Sequence, residues 1–143
     1  MSRVSGWRAP YNRLGETGFM SRKYLSSNPD LPFADAVLVD DKTLYLSGRI
    51  GLLEGQFAVP EDIEEEAHRL MQDLQRVLAL ADMQMSDLVQ LQIFCSDVSL
   101  WGRFNAVYRT YFTTQLPPRA FIGSGALLFG ARFELQGVAI RDN

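Results

Sequence analysis

The chain has 143 residues, of which 47% are hydrophobic and 22% charged, a balance typical of one globular domain. Its net charge of -3 disfavours nucleic-acid binding through a broad cationic surface. The single cysteine, Cys95, and the single histidine, His68, exclude an intrachain disulfide and predict no metal site of the usual zinc or haem type. No apolar run approaches the roughly 18 residues that span a bilayer, so no membrane association is expected.

The first 30 residues differ from the rest of the chain in charge and in periodicity. They contain five basic and two acidic residues, which gives +3 and leaves -6 for the remainder of a chain whose total is -3. We therefore predict a basic N-terminal arm over residues 1–30 and a single domain over residues 31–143. Residues 1–19, ahead of a second methionine, are interpreted either as an organellar targeting segment or as a loose extension, and the domain itself is expected in the cytoplasm.

Two short strands and a helix are predicted first along the chain. Val37 and Val39 alternate with other residues, a polar turn follows at residues 40–42, and the apolar pattern resumes at residues 44–46 before Ser47 and Gly48. Residues 60–83 then show apolar side chains at three- and four-residue steps, which predicts an amphipathic helix. The acidic run near its start, up to Glu66, indicates a solvated helix N-terminus and not a metal site.

The second half of the chain predicts a strand, a helix and a closing strand. In "DLVQLQIFCSD", Val89, Leu91, Ile93 and Cys95 alternate with Gln90 and Gln92. In "SLWGRFNAVYRTYF", five aromatic residues are spaced for one broad helical face: Trp101, Phe104, Tyr108, Tyr111 and Phe112. In "ARFELQGVAI", one face holds Phe133, Leu135 and Gly137, and the other holds Arg132, Glu134 and Gln136.

This order of elements predicts an α+β domain, with one sheet and two helices packed on one of its faces. The other face would carry semi-polar side chains: Leu46 or Tyr45, Gln90, Gln92, Glu134 and Gln136. A face of that kind favours a homo-oligomer that buries it.

Arg119 and Glu134 are the leading candidates for chemistry. Two prolines restrain the segment before Arg119, whose guanidinium either clamps a ligand carboxylate or pairs with Glu134 or with an acid of another subunit. Glu134 lies mid-strand among apolar neighbours and either orients a water or pairs with Arg132 or Arg119. Ser47 and Gly48 at a strand end offer a hydroxyl and free backbone to a polar ligand atom, although the dipeptide is common.

Five segments together resemble the Rid (YjgF) family of reactive intermediate deaminases: "LPFADAV", "LYLSGRIGL", "FNAVYRTYF", "PPRAFIGSGAL" and "GARFELQGVAI". The resemblance covers about residues 31–141. It implies a fold like that of chorismate mutase, assembled as a homotrimer whose sheets form a barrel with ligand clefts between subunits. It also implies hydrolysis of 2-imino acids or their enamine tautomers to 2-keto acids and ammonia, without a cofactor or metal.

The same resemblance implies roles for individual residues. Arg119 would bind the substrate carboxylate, Glu134 would position the attacking water, Ser47 and Gly48 would line the cleft, and Asn105 would support it. The backbone around Phe121 would face the imine nitrogen. This chain has Phe33 where the family often has tyrosine, and Phe121 where it often has cysteine or serine, so a drier and differently shaped cleft is expected.

Three functions follow from these observations. The first is an imine and enamine deaminase that acts on a small imino acid. The second is a non-catalytic module that binds a keto acid or another small carboxylate, which Phe33 and Phe121 favour. The third is an endoribonuclease, which an acidic domain with its one histidine, His68, on a helix disfavours.

Overall fold

A mixed six-stranded sheet organises residues 20–142, the part of the chain that the computed structural model describes. Its strands are β1 (Arg22–Leu25), β2 (Ala36–Val39), β3 (Thr43–Ile50), β4 (Leu88–Cys95), β5 (Arg119–Gly123) and β6 (Phe133–Ile140). Their order is β1-β2-β3-β6-β4-β5, and only the pair of β4 and β5 is parallel within this sheet. The helices are α1 (Ile63–Leu80) and α2 (Trp101–Tyr108). The predicted α+β class is confirmed.

Helix α1 forms where the apolar periodicity predicts it, and it packs against β3 and β6. Asp62 caps its N-terminus, because the carboxylate accepts the backbone N–H of Glu65 at 2.7 Å. The prediction that the whole acidic run is solvated is wrong for Glu66, which is fully buried. Its carboxylate accepts the backbone N–H groups of Arg132 and Phe133 at 2.8 and 3.0 Å and so ties α1 to β6.

Helix α2 is shorter than the aromatic spacing suggested. It ends at Tyr108, and Tyr111 and Phe112 follow in and just after a 3₁₀ turn. Trp101 at its start is 55% exposed and does not belong to an inward aromatic face. The inward anchor is Phe104, whose ring lies 4.8 Å from that of Phe133 in the centre of the core.

Two further predictions need correction. The pairing of β4 with β6 shifts register between Leu88 and Gln90, so Leu88 is buried and Val89 is 40% exposed, the reverse of simple alternation. The predicted arm over residues 1–30 also extends too far, because β1 pairs with β2 through Arg22↔Val39 to Leu25↔Ala36. The remaining part of that prediction, residues 1–19, lies outside the described residues.

Strand register assigns each side chain to one face of the sheet. Leu91 is fully buried beneath the helices, and Arg119 and Gly137 are its partners in β5 and β6. Phe94 points to the opposite face from Leu91, and it pairs with Glu134 of β6. The face away from the helices also carries Tyr45 and not Leu46, which is buried, together with Gln90, Gln92 and Gln136.

Candidate active site

A cavity of about 560 Å³ opens beside the C-terminal half of β3. Strand β2 pairs only with residues 43–46 of β3, so the edge of the following residues is left without a strand on that side. Ser47, Gly48 and Glu134 line this space, and Phe33 lines it from the loop before β2. We call it the Glu134 cavity. It brings together four of the seven site residues predicted from the sequence.

The polar groups of the Glu134 cavity are held in place by short contacts. The hydroxyl of Ser47 donates to the carbonyl oxygen of Ala34 at 2.6 Å, so its oxygen is left as an acceptor for a ligand. Gly48 permits the close approach of Glu134, because a Cβ at that position would lie 2.5 Å from Glu134 Oε1. The glycine therefore sets the position of the carboxylate.

The ion pairs considered for Glu134 do not form among the described residues. Arg132 Nε instead lies 2.6 Å from Glu66 Oε1, and the guanidinium of Arg119 binds Asn105. Glu134 makes no ion pair within the described part of the chain. Its carboxylate is consequently available to a water or to a polar ligand atom.

A buried ion pair network supports the bulged end of β3. Arg49 Nη1 lies 2.7 Å from Asp35, and its Nε lies 2.7 Å from Asp73 of α1. Burial alone would raise the pKa of Asp35, but hydrogen bonds from Ser27 and the contact with Arg49 outweigh it and lower that pKa. The network fixes the residue that follows Gly48 and thereby the rim of the cavity.

The second group of predicted residues lies in a smaller cavity of about 160 Å³, between α2 and the start of β5. Asn105 and Arg119 line it, and we call it the Arg119 cavity. The Asn105 side-chain oxygen accepts a hydrogen bond from Arg119 Nη2. The guanidinium also stacks over the Tyr108 ring, 4.5 Å from its centroid.

The Arg119 cavity contains two buried polar atoms without a hydrogen-bond partner among the described residues. They are Arg119 Nη1 and the Tyr108 hydroxyl. Burial raises the pKa of Tyr108 although the nearby Arg119 charge opposes the shift, so the phenol stays a neutral donor. A buried cationic donor that is left unpaired is costly, and an anionic ligand would satisfy it.

Phe121 lies below the guanidinium and not in the Glu134 cavity. Its ring centroid is 5.5 Å from the Arg119 guanidinium carbon and 5.7 Å from the ring of Phe104. The side chain is half-buried and packs against the core. The bulky ring therefore supports Arg119, and of the two phenylalanines it is Phe33 that faces the larger cavity.

Arg119 and Glu134 do not meet in one chain. Arg119 pairs with the buried Leu91 of β4, so its side chain points to the face of the sheet that the helices cover. Glu134 pairs with Phe94 of β4, so its side chain points to the opposite face. Two strand spacings also separate β5 from β6, about 10 Å. The residues predicted for the site thus lie in two groups, which we call its two halves and which a single protomer holds apart.

Sequence reasoning missed residues in both halves. Tyr108 lies three residues after Asn105 on α2, so both face Arg119, and the helical spacing within "FNAVYRTYF" could have indicated this. Phe57 and Phe129 line the Glu134 cavity from loops that have no periodicity to reveal them. The support of Arg49 by Asp35 and Asp73 depends on long-range packing and has no local signal.

His68 and Cys95 lie outside both cavities. His68 Nδ1 is 2.8 Å from the Tyr111 hydroxyl, a contact that joins α1 to the turn after α2, and Cys95 is buried in the core. Within residues 20–142, no group of three or more histidine, cysteine, aspartate or glutamate residues could hold a metal ion. None of the helices described is both long enough and apolar enough to cross a membrane.

Comparison with known proteins identifies relatives over most of the chain. The family model described as "Endoribonuclease L-PSP" matches residues 26–141. The rat protein named 2-iminobutanoate/2-iminopropanoate deaminase is 35% identical over 111 residues, which are 76% of this chain and 80% of the rat protein. A yeast (Saccharomyces cerevisiae) protein named "Protein MMF1, mitochondrial" is 27% identical, over 70% of this chain and 69% of its own.

A solved structure shows the same fold. The crystal structure of a putative endoribonuclease L-PSP from Entamoeba histolytica superposes with a TM-score of 0.76 and 28% identity, and it covers 85% of this chain and 100% of that one. The match of the family model extends over both helices and over strands β2 to β6. The chain belongs to the Rid (YjgF) family, whose model has the description Endoribonuclease L-PSP.

Proposed function

We propose that this protein hydrolyses reactive 2-imino acids and their enamine tautomers to 2-keto acids and ammonia. The observation that supports this most directly is the buried Nη1 donor of Arg119, which has no hydrogen-bond partner within residues 20–142. Asn105 and Tyr108 fix the guanidinium in one orientation, and its planar fork of N–H donors suits a carboxylate. The name of the rat relative, a 2-iminobutanoate/2-iminopropanoate deaminase, points to the same chemistry.

The proposed reaction needs positioning more than strong acid or base catalysis. Arg119 binds the substrate carboxylate, and Glu134 accepts a hydrogen bond from a water and directs it at the carbon of the C=N bond. The water adds to that carbon, and one of its protons passes through the Glu134 carboxylate to the nitrogen, which gives a carbinolamine. The proton of the new hydroxyl then passes to the nitrogen by the same route, and the C=O bond forms as the C–N bond breaks. A 2-keto acid and ammonia leave, and no cofactor or metal takes part.

The proposed active site is shared between protomers. Because Arg119 and Glu134 face opposite sides of the sheet, one substrate reaches both only if the Arg119 cavity of one copy meets the Glu134 cavity of another. A homotrimer with ligand clefts between subunits, as the family resemblance implies, meets this requirement. The semi-polar face with Tyr45 and Gln92 is the surface that such an assembly would bury.

The test is the release of keto acid from imino acids that an amino-acid oxidase generates in the assay. We expect the wild-type protein to accelerate release above the rate in buffer, and Arg119→Ala to lose most of that acceleration. Arg119→Lys is the matched variant that keeps the charge without the planar fork, and intermediate activity is expected. Equal rates for wild type, Arg119→Ala and buffer would contradict the proposal.

Phe33 gives one observation in favour of a second function, a non-catalytic module that binds 2-keto acids. Its ring contributes no hydroxyl to the Glu134 cavity, which therefore holds few groups that move protons. Thermal stabilisation by 2-oxobutanoate, combined with no deaminase activity, would identify this function. Ribonuclease activity has no comparable support, since His68 is bound to Tyr111 away from both cavities.

The cytoplasm is the proposed location of the domain. The yeast relative is named a mitochondrial protein, and the segment that would have to target this chain, residues 1–19, lies outside the described structure. The distribution of a tagged full-length chain, compared with one that starts at Met20, would distinguish the two locations.

A further inference from the structure

The Glu134 cavity has an apolar wall that the proposed chemistry does not use. Phe33, Phe57, Leu128 and Phe129 all line it, and each is exposed over almost half of its surface or more, up to 65% for Phe57 and 67% for Leu128. Large side chains grouped in this way are unusual on a protein surface and mark a binding site. The wall is continuous with Ser47, Gly48 and Glu134, so whatever fills it also contacts the reacting groups.

Phe129 is held in this wall by a strained backbone. Its φ is 58°, in the left-handed region that bulky side chains rarely adopt, and Gly130 follows with a φ of 69°. Such conformations persist where the surroundings impose them, and they cluster at ligand sites. Here the strained turn directs the Phe129 ring toward Phe57, with 5.2 Å between the centroids and 37° between the planes.

The basic side chains that line the Glu134 cavity have partners within the described chain. Arg49 pairs with Asp35 and Asp73, and Arg69 pairs with Glu65 on the preceding turn of α1 at 3.1 Å. The wall therefore does not present a cation that is set aside for a second carboxylate on the substrate side chain. An apolar side chain suits it, and the tilted phenylalanine rings favour an aromatic one through edge and offset-stacked contacts.

From these observations we propose that the preferred substrates are 2-imino acids with an aromatic ring in the side chain, which Phe33, Phe57 and Phe129 bind. This inference rests on the proposed deaminase function, and it assigns the loop aromatics as the residues that determine specificity. An ethyl side chain would leave most of the roughly 560 Å³ cavity unfilled, whereas a benzyl group would reach the ring pair.

The test combines binding of stable products with turnover of the imines. The dissociation constants of phenylpyruvate, 4-methyl-2-oxopentanoate and 2-oxobutanoate are measured by calorimetry, and kcat/KM is measured for the three corresponding imines generated in the assay. We expect phenylpyruvate to bind at least about tenfold more tightly than 2-oxobutanoate, with the branched acid between them. The values of kcat/KM should follow the same order.

Two variants and a control separate specificity from folding. Phe57→Ala and Phe129→Gly should each reduce the phenyl preference by about three- to tenfold, the range of a lost aromatic pair. Glycine adopts the left-handed backbone of residue 129 without steric cost, so this variant removes the ring and keeps the turn. Leu80→Ala, at an exposed apolar position on α1 outside the cavity, should leave the preference unchanged.

Each outcome decides the inference. Equal affinities for all three acids, tighter binding of 2-oxobutanoate, or equal affinities for the phenyl and branched acids would overturn it, while deaminase activity itself would stand. Phenylpyruvate binding that Phe129→Gly weakens, without turnover of any imine, would support the aromatic site and contradict the proposed reaction. Variants that alter the oligomeric mass and not the preference would assign the wall to a second copy of this chain and overturn the inference.

Discussion

Two impaired variants, Arg119→Ala and Glu134→Gln, are expected to regain activity when they assemble into one oligomer. The reason is the placement of the two side chains on opposite faces of the sheet, because of which the proposed site takes Arg119 from one protomer and Glu134 from its neighbour. In a mixed oligomer, some interfaces therefore join an intact Arg119 to an intact Glu134.

The expected magnitude follows from the geometry. Loss of hydrogen bonds to a charged group costs about 1.5–3 kcal/mol, which is roughly a 10- to 150-fold loss for Arg119→Ala. Removal of a general base costs about 10²- to 10⁴-fold for Glu134→Gln. When the two variants mix at random in equal amounts, half of the protomers that contribute Arg119 and half of those that contribute Glu134 carry the intact residue. About one quarter of the sites therefore contain both, and about one quarter of the wild-type rate returns.

Co-expression with two different affinity tags allows the mixed oligomers to be isolated. In the proposed trimer, each assembly that carries both tags has a single intact interface, so about one third of the wild-type rate is expected after purification on both tags. Arg119→Ala chains that carry the two tags, purified in the same way, are the control and should stay inactive. Mixed oligomers of the correct mass that are as inactive as either parent would refute the shared site.

Three other measurements test the fold and the site. Gly48→Ala should lower activity by up to about a hundredfold with little change in the unfolding midpoint, because the Cβ of the new alanine displaces the Glu134 carboxylate. Wild-type activity in this variant would contradict the prediction. Phe104→Ala should lower the free energy of unfolding by about 3–5 kcal/mol in urea titrations, and a loss below about 1 kcal/mol would contradict its central packing. The pKa of Asp35 in the folded protein lies below its ordinary 3.8. Its contribution to stability is therefore present above pH 3.8 and is lost as the pH falls through the folded pKa. Asp35→Asn should remove this part of the acid dependence when the free energy of unfolding is measured between about pH 2 and 6.

Local periodicity predicted the elements whose burial alternates regularly. Helix α1 and strand β6 bury one face each, so their apolar spacing alone indicated both type and orientation. Strand β1 was missed because only Leu25 of its four residues is buried, and backbone hydrogen bonds to β2 define it. The bulge that turns Val89 outward depends on pairing with β6, more than 40 residues away in the chain, and leaves no local pattern.

The residues of the candidate site were predictable, but their division into two halves was not. The resemblance named Arg119, Glu134 and Asn105, which the cavities contain. Their separation depends on β4 lying between β6 and β5, and on the parallel pairing of β5 with β4. Both features depend on pairing between strands that are far apart in the chain, which the local spacing of residues does not predict. The role of Phe129 was not predicted for another reason. Bulky residues rarely adopt positive φ, so nothing in the local sequence indicated this turn.

The groups proposed to react and the proposed apolar wall differ in how the chain builds them, and that difference would separate reaction from specificity. Arg119, Asn105 and Glu134 lie on strands and a helix, where packing fixes side chains closely enough for a reaction that depends on positioning. Phe57 and Phe129 lie on loops, which tolerate substitution without disturbing the sheet. A change of substrate side chain therefore requires new residues only in those loops, whereas the groups that would bind the carboxylate and direct the water stay in place. On this reasoning, relatives can share the strand and helix residues and still differ in the imino acid that they prefer.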